Sequence, residues 1–245
     1  MSRTARATTV LLAAALALAA CGDPEAASQA RAQAQAAADE RAAEEAEAGF
    51  NRAVEEENWP LAKAHGDVLL ARWPDTQVAE RVRGRFVEVK EQADAIREAD
   101  RTARLWTYNV QEVKGGQQRS AQIHSKDPVD TGAGSDRVQL IFRDHPDWGR
   151  SSYLVLGGGD FARACYRSCQ VTVTVDDDDE PRRMAANRPD TDEAIAMFID
   201  DNRALWRAID GAKLLAIEFP VEAGGTRAAR FEVGGLERSR MHGWD

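Results

Sequence analysis

Between Phe50 and Leu105 the apolar positions recur in steps of three and four. Phe50, Val54, Trp59, Leu61, Val68, Leu69 and Leu70 flank Asn58-Trp59-Pro60. That spacing predicts one helix ending at Asn58 or Trp59 and a second with Pro60 in its first turn. A second break falls at Trp73-Pro74-Asp75-Thr76, where Asp75 or Thr76 can cap a third helix. Val78, Val82, Phe86, Val89, Ala93, Ile96 and Ala103 form that helix's single apolar stripe. From Trp106 the period changes to two. Trp106, Tyr108 and Val110 alternate with polar residues, Gly115-Gly116 turns the chain, and Ala121, Ile123 and Ser125 continue the alternation. After a polar loop from Lys126 to Asp136, further strands are expected at Val138–Phe142, Tyr153–Leu156, Phe161–Cys165 and Val171–Val175. One helix interrupts them, capped by Thr191 and running from Asp192 to Ile209, with Gly211 as its stop and Ile195, Phe198, Ile199, Leu205, Trp206 and Ile209 on its buried side. Strands at Leu214–Phe219 and Ala228–Val233 close the domain, and residues 238–245 are expected to be loose. The expected class is α+β: helices first, then a mainly antiparallel sandwich or barrel-like domain with one helix.

The first residues follow a different pattern. Arg3 and Arg6 precede an apolar run from Val10 to Ala20 that ends in small residues, the layout of a secretory signal. The run is roughly eleven residues, short of the ~20 that a spanning helix needs. It ends in Leu18-Ala19-Ala20-Cys21, which resembles the lipobox of bacterial lipoproteins at all four positions. The resemblance implies removal of residues 1–20, diacylglycerol on the Cys21 sulfur and acylation of the new N-terminus. Each buried methylene contributes roughly 0.8 kcal/mol, so several acyl chains hold a protein on a membrane essentially permanently. The alternative is an ordinary cleaved signal followed by an unrelated cysteine. Gly22 follows Cys21; in Gram-negative lipoproteins an aspartate there resembles an inner-membrane retention signal, and here Asp23 stands one position later. The expected location is the periplasmic face of the outer membrane.

From Glu25 to Ala48 the composition narrows almost entirely to Ala, Gln, Glu and Arg with no large apolar side chain, so residues 21–48 read as a lipidated spacer. As a helix it would reach roughly 35 Å. The remaining divisions are a helical segment 49–104, a β-rich domain 105–237 and a tail 238–245. Trp59-Pro60-Leu61-Ala62 through Leu69-Leu70 to Pro74 resembles one tetratricopeptide-type unit, with Ala62 and Pro74 in that family's small-residue and terminal-proline places. Gly66 stands where an aromatic is usual, Ala53 where a tyrosine is usual, and no second copy follows. A lone helical hairpin docking on the rest of the chain is what the resemblance implies; a plain helical bundle segment is the other reading. The C-terminal order of helix, Ala212–Phe219 and Phe231-Glu-Val-Gly-Gly-Leu236 is vaguely similar to small periplasmic modules of unassigned function, some encoded near type VI secretion loci. No catalytic motif comes with that likeness.

Charge narrows the function classes. The chain carries 41 Asp and Glu against 32 Lys and Arg, a net charge of −9, and loss of Arg3 and Arg6 with the signal leaves it more acidic still. Such a chain is repelled by nucleic acid, and no basic run with interleaved aromatics offsets this. The expected partners are the membrane, through acyl chains, and another envelope protein. With Cys21 lipidated, the chain's 3 cysteines leave a pair, Cys165 and Cys169. In an oxidising compartment a pair reads first as a disulfide, here across a hairpin loop of Tyr166-Arg167-Ser168. Free thiols or a redox role are the alternatives.

The acidic run Asp176–Glu180 invites a hard cation, with Asp176, Asp178 and Glu180 as candidate ligands. Pro181 and Asn187 occupy the places where an EF-hand loop needs glycine and glutamate, so a charged hairpin tip is the preferred reading. Gly157-Gly158-Gly159-Asp160 follows a predicted strand but lacks the Gly-Lys-Ser/Thr that completes a phosphate loop, so no nucleotide is expected. Among the histidines, His65, His124, His145 and His242, none sits in a hydrolase or zinc-protease motif. His124-Ser125 is the best nucleophile pair in sequence, yet strand neighbours face opposite ways. The sequence therefore leads to a non-catalytic envelope binding or assembly module without a cofactor beyond the lipid. The alternatives are a hydrolase using His124 or His145 and a calcium-dependent binding module.

Overall fold

The computed structural model describes residues 23–176, 178, 180–189 and 195–244. The lipobox Leu18-Ala19-Ala20-Cys21 and the Thr191 cap lie outside them. The chain divides into two compact units, Met1–Asp94 and Ala95–Asp245, so the division falls inside a helix rather than at the expected 104/105 boundary.

The first unit is built from helices. α1, Pro24–Glu55, opens on Asp23, whose carboxylate accepts the Glu25 N–H, with proline in the first turn where no amide is needed. α2, Trp59–Arg72, is capped by the Asn58 side chain, and α3, Gln77–Ala103, starts after Thr76, whose Oγ1 accepts the Ala79 N–H at 3.2 Å. In its described part the expected spacer is thus helical from Pro24 onward, and its second half packs. Ala43 is fully buried beside Phe50, Ala53, Leu69 and Val82. Glu40 Oε2 and Oε1 accept the Gln77 and Val78 N–H groups at 2.9 and 3.1 Å, capping α3 from α1. Alanine's small side chain lets helices approach closely, so the absence of large apolar residues does not prevent burial. Gly66 is buried because Phe86 and Phe50 lie against it: a Cβ there would sit 2.5 Å from the Phe86 ring.

The second unit is α+β. Its strands are β1 Trp106–Val113, β2 Gly116–His124, β3 Val129–Asp130, β4 Ser135–Asp136, β5 Gln139–His145, β6 Gly149–Val155, β7 Cys169–Val175, β8 Arg182–Asn187, β9 Ala196–Ile199, β10 Leu215–Pro220 and β11 Thr226–Phe231, with the helix α4 Asn202–Ala208 between β9 and β10. A 9-stranded sheet runs in the order β1-β2-β5-β6-β9-β8-β7-β10-β11, and β3 pairs with β4 in a small sheet of its own. All its ladders are antiparallel. Alternation places Ile123, Leu140, Phe142, Leu154, Val171 and Ile217 on the buried face.

The edge strands β1 and β11 share no ladder among the described residues, so the sheet is not a closed barrel. Side chains and backbone bridge the gap instead. Lys126 N–H donates to Arg230 C=O at 2.7 Å, Trp106 Nε1 donates to Val233 C=O at 3.3 Å, and the Glu237 N–H donates to the Tyr108 hydroxyl at 2.7 Å. Gly235 in the Phe231–Leu236 ending lies against the Thr102–Ala103 backbone, where any Cβ would overlap it.

Several elements differ from expectation. Phe161–Cys165 is not a strand: Phe161 makes an isolated bridge to Val221, and Arg163–Tyr166 forms a 3-10 turn that the cysteine cross-link holds tight. The expected 192–209 helix is in its described part a strand, β9, followed by the short α4. Ala196–Ile199 pairs with β6 and β8 inside the sheet, and Asp201 Oδ1 accepts the Ala204 N–H at 2.9 Å, starting the helix only at Asn202. β8 was not anticipated from Arg182-Arg-Met-Ala-Ala-Asn. The tail is not loose. Met241 and Trp244 are buried, with Trp244 4.9 Å from Trp206 and edge-on to Phe142 at 5.4 Å between ring centroids.

Candidate functional site

The cysteine pair forms a disulfide, with Cα atoms 4.6 Å apart. Cys165 is buried in the 3-10 turn and Cys169 begins β7, so the bond ties a turn to the sheet rather than closing a hairpin. The turn carries a compact polar cluster. Arg188, 7 % exposed, donates through Nε to Asp160 Oδ1 at 2.7 Å; its guanidinium lies 4.4 Å from the centre of the Tyr166 ring. Tyr166 Oη donates to Asp160 Oδ2 at 3.2 Å. The Gly157–Asp160 loop thus ends in a carboxylate held by a buried arginine, and Gly158 C=O accepts from Thr131 Oγ1 at 2.8 Å.

The acidic run does lie at a hairpin tip, between β7 and β8. Asp176 takes a left-handed φ of 50°. Its Oδ1 accepts the Lys213 and Leu214 N–H groups at 2.9 and 2.8 Å, fixing the start of β10. Asp178 Oδ1 accepts the Glu180 N–H at 3.0 Å. The Asp176 and Asp178 carboxylates therefore serve backbone amides, and no group of three or more metal-ligating side chains occurs among the described residues. Asp177 and Asp179 lie outside them.

His124 and Ser125 point apart. His124 is exposed, with Nε2 2.9 Å from Gln139 Nε2 at the mouth of a cavity of about 140 Å³ lined also by Asp136 and Arg137. Ser125 is fully buried; its Oγ donates to Asp127 C=O at 2.7 Å and accepts the Val138 N–H at 3.1 Å. His65 packs beside Gly49, and His242 is exposed. His145 is buried, and its Nδ1 accepts the Asp147 and Trp148 N–H groups at 3.1 and 3.4 Å. The imidazole is therefore the tautomer with its proton on Nε2.

That histidine belongs to the most organised surface feature of the second unit. Trp148, at the β5–β6 turn, is 71 % exposed and stacks on His145 with ring centroids 3.9 Å apart and planes 14° from parallel. On the outward face of the sheet beside it, Arg143 lies 5.4 Å from the Trp148 ring, 5.2 Å from Tyr153 and 6.0 Å from Phe198. Tyr153 and Phe198 are register partners, 4.9 Å apart. Arg143 Nε donates to Ser151 Oγ at 3.3 Å, and no carboxylate pairs with it among the described residues. Burial pushes the Tyr153 phenol above its usual range, with the Arg143 charge pulling the other way. The register extends the row: Thr107, Gln122, Ile141, Tyr153, Phe198 and Asn187 face outward in line across the sheet. At the outward positions of β1, β2, β5, β6 and β9 there is no aspartate or glutamate. Asp200 meets the border of this face, bonded to Asn187 at 2.6 Å.

Sequence reasoning misses this cluster because it sets Phe198 on the buried side of a helix and gives Trp148, isolated between two strands, no role. Alternation alone held the signal, since Arg143 and Tyr153 are out of phase with the buried Phe142 and Leu154. Comparison with family models, curated proteins and solved structures finds no match.

Proposed function

We propose that this chain is an exported, lipid-anchored envelope protein that acts as a non-catalytic binding module, with the outward sheet face around Arg143 as its contact surface. The observation that carries the binding reading is the guanidinium held among Trp148, Tyr153 and Phe198 with a hydroxyl as its hydrogen-bond partner. A guanidinium offers five N–H donors, and fixing its plane in advance lowers the ordering cost of binding. An exposed tryptophan on a rigid support is the residue type that dominates recognition surfaces. The Cys165–Cys169 disulfide supports export to an oxidising compartment. The lipobox sequence supports anchoring through Cys21, at the periplasmic face of the outer membrane.

The test is photocrosslinking in living cells. A crosslinker at position 148 captures a discrete envelope component, one at Thr174 on the same sheet captures less, and Cys21→Ser moves the protein from the membrane to the soluble fraction. Equal or absent capture at both positions would sink the assignment of this face. Membrane retention by Cys21→Ser would sink the anchor.

A further inference from the structure

We infer that the occupant of this face is an acidic glycan, bound by its carboxylate to Arg143 and by a sugar ring to Trp148; this rests on the binding reading above. β5, β6 and β9 are interior strands, and Ile141, Tyr153 and Phe198 in the row each have a ladder partner on both sides. An extended peptide gains affinity on a sheet by adding to an edge. A ligand lying here can be read only by side chains.

Those side chains are of three kinds. The indole of Trp148 stacks on His145 and has Arg143 5.4 Å from its centre, yet stays 71 % exposed, a flat apolar plate of the size of a sugar ring. Gln122, Thr107 and Asn187 flank the aromatic pair with amide and hydroxyl groups. Each can donate or accept, as sugar hydroxyls do. Arg143 supplies the charge, and its planar fork matches a carboxylate. The outward positions of β1, β2, β5, β6 and β9 carry no acidic side chain, which in a chain of net charge −9 lessens repulsion of an anionic polymer there, while Asp147 beside Trp148 in the turn and Asp200 bonded to Asn187 set the acidic border of the face.

The experiment uses the lipidated mature protein in detergent, with polygalacturonate as the acidic glycan, dextran as the neutral one, poly-glutamate as the acidic peptide and phosphatidylglycerol vesicles as the anionic membrane. Calorimetry is expected to show binding to polygalacturonate that is at least roughly tenfold tighter than to the other three. Trp148→Ala and Arg143→Gln each weaken it about tenfold or more, and Arg143→Lys by less. Trp148 is an exposed turn residue, and near-ultraviolet dichroism of each variant checks that the fold is retained. Equal binding of poly-glutamate or vesicles would reduce the site to charge and overturn the proposal. So would equal binding of dextran, an unaffected Trp148→Ala variant, or no glycan binding at all. A component captured in cells through position 148 alongside failed glycan binding would overturn this inference while leaving the binding module in place.

Discussion

Trp244 is buried to 3 % exposure, yet its indole Nε1 has no hydrogen-bond partner among the described residues. Leaving such a donor unmade costs about 1–3 kcal/mol, so packing against Trp206 and Phe142 must outweigh it. The edge-on approach to Phe142 fits a weak contact to a ring face rather than a full hydrogen bond. Trp244→Ala is expected to destabilise the second unit by about 3–5 kcal/mol, the range for emptying a large aromatic site. Trp244→Phe is expected to cost far less, since it removes the unpaired donor with only part of the volume. Urea unfolding of the two variants separates the contributions; equal losses would mean that the N–H has a partner after all. Nothing in the sequence marked this residue as core. Met241 and Trp244 stand alone in a polar stretch, and isolated apolar positions carry no period from which to infer an element.

Elements were legible where a period ran for several turns or strands. The three N-terminal helices, the Thr76 cap and most strands follow the sequence pattern, while Asn58, expected to end the first helix, caps the second. β9 failed because Ile195, Met197, Phe198 and Ile199 form a short apolar run that either a buried strand or a helix can hold, and the capped helix directly after it made the longer helix look continuous. The Ala-rich stretch failed for the opposite reason: its helix was anticipated as one possibility, but burial of Ala43 depends on partners the stretch itself does not show. Gly66 shows how such partners act. Alanine gains up to about 1 kcal/mol of helix propensity over glycine, but here its Cβ would press 2.5 Å from the Phe86 ring and 3.3 Å from Phe50. Overpacking of this kind costs about 1–3 kcal/mol. Gly66→Ala is therefore expected to lower the stability of the first unit in the otherwise unchanged protein and to raise it in a Phe86→Ala background. A double-mutant cycle by thermal unfolding reads the reversal; the same sign in both backgrounds would refute the contact.

At the scale of the whole second unit, the sheet is held across its open seam by charge as well as by backbone, and no window of sequence could have shown it. Glu232, just past β11, receives Arg101 through two hydrogen bonds at 2.7 and 3.4 Å and lies 3.5 Å from Lys126, residues 131 and 106 positions away in the chain. The Arg143 face was illegible for the same reason, since it needs the register of β5, β6 and β9 to bring its rings together. The Arg101 hydrogen bonds, aided by Lys126, hold the Glu232 carboxyl below the usual glutamate range, although partial burial opposes them. Arg101 also lowers Glu98, but that carboxylate is solvent-exposed, and an exposed pair of this kind adds little. A carboxyl whose folded pKa is depressed stabilises the fold above its unfolded pKa of about 4.3 and loses that contribution as pH falls through the lower folded value. Glu232→Gln is accordingly expected to be less stable than the parent at about pH 7 and indistinguishable from it near pH 2, where both carry a neutral side chain. Because Glu232 keeps a fifth of its side chain exposed, salt should narrow the gap at neutral pH without abolishing it. Urea unfolding across that pH range measures the difference. A gap that persists undiminished at low pH would assign the loss to packing at the seam instead of to its charge.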